Sequence, residues 1–388
     1  MKVGIVVPYS WSYWGGVVEH AEEQSAALEE LGVETRIVIG HDPPGRFSRF
    51  LHPRTGRIGA LPANVLPVGR SVITPANHSL ANIVLSPSAV ARLRRTITRE
   101  RFDVLHIHEP LTPALGVAAL AYARVPVVAT FHAAGPSRWR AGATALWGFL
   151  LDRIDERIAV SPAAADTARS YAPGEYRVIP NGVRIPPHVE LGGRAPHVLF
   201  IGRNEPRKGL PILLRAWEQV HARTGARLRV VGADPLAVRY LMRRERFGDD
   251  GVDLLGVVPA EALDAELAQA SLLCAPSLGR ESFGMVLTRA FAAGTPVVAS
   301  DIEGYREVAS RHVGRLVPTG DPAALAGAVI ELLDDETERR ACGAAARRLA
   351  EREYAWPRLA ARLLELYGEL VESASGSAAP SLLGAVRS

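Results

Sequence analysis

The hydrophobic pattern of this chain predicts two doubly wound α/β domains, each built on a parallel sheet, with a ligand crevice between them. Three observations carry that expectation. Short apolar runs rich in β-branched residues alternate with longer helical segments, as in Val3–Pro8 followed by Val17–Leu31. The alternation breaks after Arg184, at the Pro-, Gly- and His-containing stretch IPPHVELGGRAPH, and restarts at Val198. Glycines, histidines and cations gather just beyond the strands' carboxyl ends, where doubly wound sheets place their ligands.

Size and composition agree with this. A chain of 388 residues, 48% of them apolar, can fill two such cores. Its formal charge of +4 is mildly basic, compatible with anionic ligands or an anionic membrane surface but far short of a nucleic-acid footprint, so no nucleic-acid partner is expected. Cys274 and Cys342 lie in apolar or helical runs, which points to a reducing compartment and no disulfide framework. The first strand begins at Val3, leaving no room for a signal peptide, and no apolar run reaches the roughly 18 residues of a membrane span. A soluble or peripheral cytoplasmic protein is expected.

In chain order, Val3–Pro8 is a strand buried on both faces, and the aromatic loop Tyr9 to Trp14 follows it. Gly15 and Gly16 then open the helix Val17–Leu31; they either let backbone approach a ligand closely or simply make a tight turn. Thr35–Ile39 is the next strand, and residues 41–64 read as an irregular connection. Ser88–Arg101 is a helix with Arg92, Arg95 and Arg99 on one face and Val90, Leu93 and Ile97 on another. Its basic face is either ordinary solvated surface or a dock for anionic lipid headgroups. Val104–His108 is a strand on which His106 and His108 share a face, with Glu109 beside them. That group could ligate a metal, but strand-end polar groups have commoner uses, and no metal is expected. Pro126–Thr130 leads to His132, placed to act as acid, base or ligand contact, or merely to cap the strand. Ile158–Val160, a helix from Pro162, Arg177–Ile179 and the turn Pro180-Asn181-Gly182 complete the first half.

The second half begins with strand Val198–Gly202, helix Leu210–Thr224, strand Arg227–Gly232 and helix Pro235–Arg246. The turn GRNEPRKG, residues 202–209, sets Arg203, Arg207 and Lys208 between strand and helix, a phosphate clamp by position and charge. It is not a Walker loop, nor do Gly15 and Gly16 complete a dinucleotide fingerprint. Farther on, strand Leu272–Ala275, an N-cap at Ser282, helix Phe283–Ala293 and strand Pro296–Ser300 form one unit. There Glu281, Ser282, Phe283 and Gly284 stand where a strand's end meets a helix N-terminus, a junction suited to a diphosphate. Glu281 suits a hydroxyl-rich sugar beside those phosphates, or only reinforces the cap. Residues 322–352 read as helices and residues 373–388 as a disordered Ser/Ala/Gly tail.

Taken together, Gly15-Gly16, His106-Ile-His108-Glu109-Pro110, Thr130-Phe-His132, Ile179-Pro-Asn181-Gly182-Val183, Gly202-Arg203 to Arg207-Lys208-Gly209 and Glu281-Ser-Phe-Gly284 resemble the retaining family 4 glycosyltransferases. Within that family the pattern is most similar to the bacterial phosphatidylinositol mannosyltransferases, over Met1 to Leu370. The resemblance implies a GT-B fold: Rossmann-like domains at 1–183 for the acceptor and 184–354 for the sugar nucleotide, with a helix at 355–372 crossing back to the first. It implies transfer of a hexose, mannose from GDP-mannose, to a phosphatidylinositol-type lipid, without a required metal and peripherally on the inner face of the cell membrane. Arg203 and Lys208 would hold the diphosphate, approached from the other domain by Gly15 and Gly16. Glu281, Ser282, Phe283, Gly284 and Met285 would contact the donor, and His132 would lie by the anomeric carbon. Tyr9, Trp14, His108 and Arg138 would border the acceptor.

The chain departs from the family pattern twice. Arg289 stands where a second Glu normally binds the donor ribose, and a guanidinium cannot accept hydroxyl hydrogen bonds. Ser79-Leu80-Ala81-Asn82 ends in a neutral residue where the mannosyltransferases carry an Arg for the lipid phosphate; Arg70 or Arg138 would have to substitute. Two alternatives therefore accompany the main expectation: a family 4 enzyme with another donor, such as UDP-glucose, or another acceptor, such as diacylglycerol or a soluble sugar; and a weakened sugar-nucleotide-binding protein or GT-B epimerase.

Overall fold

The computed structural model describes residues 1–13, 15–45, 60–76, 79–133, 142, 148–189, 193–194, 196–279 and 281–377. The first lobe contains strands β1 (Lys2–Ser10), β2 (Glu34–Gly40), β3 (Val65–Gly69), β4 (Val72–Ala76), β5 (Ser79–Ile83), β6 (Val104–His108), β7 (Val127–Phe131), β8 (Glu156–Ala159) and β9 (Arg177–Val178). Seven of them run parallel in the order β3-β2-β1-β6-β7-β8-β9. Their apolar continuity follows from burial on both faces: every residue of β6 and β7 is buried. The second lobe orders β10 (His197–Ile201), β11 (Arg227–Val231), β12 (Val252–Gly256), β13 (Leu272–Ala275), β14 (Val297–Ser300) and β15 (Gly314–Val317) as β12-β11-β10-β13-β14-β15, all parallel.

The parallel sheet of the first lobe carries one addition that the sequence did not announce: β4 and β5 form an antiparallel hairpin whose second strand meets β1 at Tyr9 and Ile83. Pro75 suits a hairpin strand rather than a central parallel one, and this short pattern lies in a stretch without clear helical or strand period. The helix after β13 also differs from its reading. It runs Met285–Ala292, and its N-cap is Gly284 at φ +78, so Ser282 does not cap it. A Cβ on Gly284 would lie 2.9 Å from the Tyr305 ring, so the left-handed turn and that ring together demand glycine.

The C-terminal helix Trp356–Ser377 returns to the first lobe. Trp356, Leu359, Leu363, Leu366 and Tyr367 are buried in the same apolar cluster as Val3, Ile5 and Leu28. Trp356 Nε1 donates to Glu23 Oε2 at 2.7 Å, and Gln24 Nε2 donates to the Tyr367 hydroxyl at 3.0 Å. The helix extends to Ser377, into the stretch expected to be tail.

Both sheets change strand order at one strand. β2 and β6 flank β1, and β11 and β13 flank β10, so each lobe opens a crevice at the carboxyl ends of those neighbours. The loops singled out in the sequence leave these ends: Gly15-Gly16 after β1, Glu109 after β6, Arg203 to Lys208 after β10 and Glu281 after β13.

Candidate active site

In the second lobe, the turn Pro206–Lys208 is a single 3-10 turn closed by Gly209 at φ +72. A Cβ on Gly209 would fall 1.8 Å from the Pro276 carbonyl oxygen, so only glycine lets this turn lie against the segment after β13. That approach brings cations and carboxylate together. Lys208 Nζ donates to Glu281 Oε1 at 2.7 Å and Arg207 Nη1 donates to the same oxygen at 2.8 Å. The three side chains are 12–20% exposed, so these charge-assisted bonds act at reduced dielectric. Arg207 also reaches Glu205, and Arg203, 55% exposed, pairs with the other oxygen of Glu205 at 2.9 Å. Arg207, read from the sequence as one of three cations of a phosphate clamp, is thus the hub of the cluster. Behind Glu281, the buried Ser277 hydroxyl and Tyr305 hydroxyl bond each other at 2.9 Å.

The same loop meets the first lobe. Ser161 Oγ donates to the Ser282 carbonyl, Phe283 stacks edge-on with Tyr354 at 5.6 Å, and a Cβ on Gly16 would touch Met285 Sδ at 3.1 Å. Gly16 begins the helix Gly16–Glu30, one turn before His20. His20 stands 5.1 Å, ring centre to ring centre, from His132. Gly16, His132 and the Glu281 loop therefore border one seam between the lobes. Arg289 projects across this seam to Glu19 Oε2 at 3.5 Å and Glu23 Oε1 at 3.9 Å, on that same helix. Burial pushes the Glu23 carboxyl up, opposed by its hydrogen bond from Trp356.

His132 is held from two sides. Its backbone N–H donates to Glu109 Oε1 at 2.9 Å, and its Nε2 bonds His108 Nδ1 at 2.8 Å. Glu109 adopts φ +50, an unusual conformation for a residue with a side chain, at the sheet's switch point. His106 and His108 share a strand face as read, their rings stacked at 4.7 Å, but Glu109 turns away from them. His106 instead bonds Thr130 Oγ1 at 2.6 Å and the Tyr367 hydroxyl at 2.5 Å, while Glu109 turns to His132. His108 is fully buried behind His132 and His106, which removes it from the acceptor-facing position expected of it. Tyr9 lies at the end of β1 beside the β4–β5 hairpin, and Trp14 and Arg138 fall outside the described residues.

Burial pushes His20 and His106 down to about 3, and holds His108 and His132 well below the ordinary imidazole range, with neighbouring imidazoles adding to the effect. All four are neutral near pH 7. The folded values lie below 6.5, so on acidification the unfolded chain binds protons that the folded chain does not. Stability is complete above the free imidazole value and is lost as pH falls toward the folded values, by about 1.4 kcal/mol per pH unit for each such histidine. Urea midpoints should drop steeply between about pH 7 and pH 5, and His106→Gln should flatten that slope; an unchanged slope would count against a neutral His106.

On the outer surface, the helix Pro87–Glu100 buries Ala89, Leu93 and Ile97 and exposes its arginines. Arg92 is exposed, with Nε donating to the Val68 carbonyl at 2.5 Å. Arg99 pairs with Glu100 at 2.8 Å. The basic face also includes Arg94, which lies over the Tyr122 ring and, with Arg95, Arg99 and Val90, lines a groove of about 670 Å³. No helix among the described residues is long and apolar enough to cross a membrane.

Two Rossmann-like lobes, a basic strand-to-helix turn on one and a histidine on the other, bordering a shared seam, define a GT-B glycosyltransferase. Comparison with known proteins agrees. Residues 14–185 match the model of Glycosyltransferase Family 4, and residues 195–335 match that of Glycosyl transferases group 1. The phosphatidyl-myo-inositol mannosyltransferase of Mycobacterium leprae is 35% identical, over 97% of this chain and 98% of its own. Among solved structures, sucrose-phosphate synthase from Thermosynechococcus elongatus superposes with a TM-score of 0.74 at 20% identity, covering 96% of this chain and 99% of that one. Anabaena HepE in complex with UDP and glucose gives 0.71 at 20% identity, covering 95% and 100%. The chain belongs to glycosyltransferase family 4.

Proposed function

We propose that this enzyme transfers mannose from GDP-mannose, with retention, to a phosphatidylinositol-type lipid while bound peripherally at the inner face of the cell membrane. The observation that carries the reading is the pairing of Arg207 and Lys208 with Glu281 at the inter-lobe seam. The name of the Mycobacterium leprae relative supports the sugar and the acceptor, and the UDP held by Anabaena HepE supports a nucleotide donor.

Breaking a glycosyl phosphate bond builds negative charge on the departing diphosphate and positive character on the sugar carbon. Lys208, Arg207 and Arg203 meet the first, together with unpaired N–H groups of the Met285–Ala292 helix. Lys208 and Arg207 both donate to one oxygen of Glu281. An arriving diphosphate draws those cations toward itself and frees the carboxylate to accept hydroxyls of the sugar. Neutral His132, aimed by Glu109 and His108, adds a dipole rather than a repelling charge beside the carbon that becomes positive. Gly16, without a side chain, leaves room for the pyrophosphate at its helix N-terminus.

Mass spectrometry of lipids after incubating purified enzyme with isotopically labelled GDP-mannose and phosphatidylinositol vesicles tests the proposal; no labelled mannolipid would refute it. A second reading, another donor, is favoured by Arg289, which turns to Glu19 and Glu23 and offers no acceptor to a ribose. Melting curves separate the two: GDP-mannose should raise the midpoint more than UDP-glucose, and the reverse order selects the second reading. For the membrane, Arg94→Glu with Arg95→Glu should abolish most binding to anionic vesicles at low salt and leave transfer to a detergent-solubilised acceptor intact. Equal binding by variant and parent would dismiss docking through this helix.

A further inference from the structure

Behind the seam lies a second arrangement, which shares His132 and His108 with the proposed transfer site. His20 from the helix Gly16–Glu30, His108 from the end of β6 and His132 from just beyond β7 converge, and one ring nitrogen of each lies within 4.8 Å of one from each of the others. Their ring centres are 5.0–5.4 Å apart. His20 is 6%, His108 0% and His132 7% exposed. Two of their nitrogens, His20 Nδ1 and His108 Nε2, are buried without a hydrogen-bond partner. A buried imidazole nitrogen left unpaired costs about 1–3 kcal/mol, so two in one cluster call for an explanation.

We propose that His20, His108 and His132 form a binding site for a borderline-soft divalent transition ion, with Zn²⁺ as the leading occupant. Three imidazoles and one open position are a donor set that zinc accepts. Tetrahedral zinc with bonds of about 2.0–2.1 Å sets its nitrogen ligands about 3.4 Å apart. An ion that takes His132 Nε2 replaces its hydrogen bond to His108 Nδ1 and draws the three rings together from the present spacing. Supporting groups stand in place: Glu109 fixes the backbone of His132, Asn181 lies beside its ring, and Gln24 lies within reach of His20. Hard ions such as Mg²⁺ and Ca²⁺, which require oxygen ligands, are excluded by the same donor set.

Ion binding does not depend on the proposed transfer reaction. If His132 serves the sugar as proposed above, occupancy and transfer compete for one imidazole, and bound zinc silences the enzyme. The test is therefore made without substrate. Full-length enzyme stripped with a chelator is titrated with Zn²⁺ by calorimetry and checked by metal analysis after dialysis. One Zn²⁺ per chain is expected, with affinity at least about tenfold lower in His20→Gln and in His108→Gln and unchanged in the exposed-site control His312→Gln. Absence of stoichiometric uptake, or uptake that persists in both variants while circular dichroism shows them folded, overturns the site. Should either variant unfold, Co²⁺ is added to the parent enzyme and its visible bands and imidazole NMR signals are followed. Tetrahedral bands with broadening of three buried histidines support the site; broadening confined to exposed histidines overturns it.

Discussion

Lys208→Ala is expected to lower the turnover number by about 10²–10³-fold, the scale on which a single preorganised donor to a developing oxyanion acts. Stability should fall by only about 1–2 kcal/mol, because Arg207 still pairs with Glu281 after the lysine is gone. Removal of both cations is different: Glu281, 12% exposed, would be left as a nearly buried charge without a partner. The double variant should therefore lose activity and fold stability together, and the single variant only activity. Steady-state transfer to a lipid acceptor and thermal unfolding of the same samples check this. Unchanged transfer in Lys208→Ala would remove the clamp from the mechanism, and a large fall in melting temperature would make the lysine a structural residue.

The second large effect is on folding. Trp356→Ala should destabilise the enzyme by about 3–5 kcal/mol, the range for deleting a large buried aromatic ring. Trp356 is 5% exposed, lies against Gly182, whose Cβ would sit 2.3 Å from its ring, and donates its indole N–H to Glu23. Three losses coincide at this one position: apolar contact, a hydrogen bond to a carboxylate whose burial already disfavours charge, and the anchor of the helix that ties the chain's end to the first lobe. Chemical denaturation followed by tryptophan-independent circular dichroism measures the effect. A loss below about 1 kcal/mol would mean that the Trp356–Ser377 helix is held by Leu359, Leu363 and Leu366 without it.

The two sheets were legible because a strand buried on both faces is a short unbroken apolar run; β6, β13 and the helix Leu210–Thr224 have the bounds their patterns predict. The loops of the site were legible for a related reason. Glycines, cations and histidines at strand ends have few structural reasons to be there, so their positions in the sequence already marked the switch points. What escaped was set by contacts distant in sequence. The β4–β5 hairpin is stabilised by pairing with β1 rather than by a strong local period. Gly284, not Ser282, starts its helix because the Tyr305 ring packs against it. The partner of Arg207 is 74 residues away, and that of Arg92 is the carbonyl of Val68, so neither could be read from neighbouring residues. His20 gave no signal at all: it is a histidine within an otherwise ordinary helical run, and only the meeting of that helix with β6 and β7 gives it neighbours.

The contact of Arg289 with Glu19 and Glu23 ties the lobes by attraction between unlike charges that are each only about one-fifth exposed. Parting the lobes at this point would stretch this ionic strap. Dissolved electrolyte weakens such attraction, so the grip of one lobe on the other here loosens as ionic strength rises.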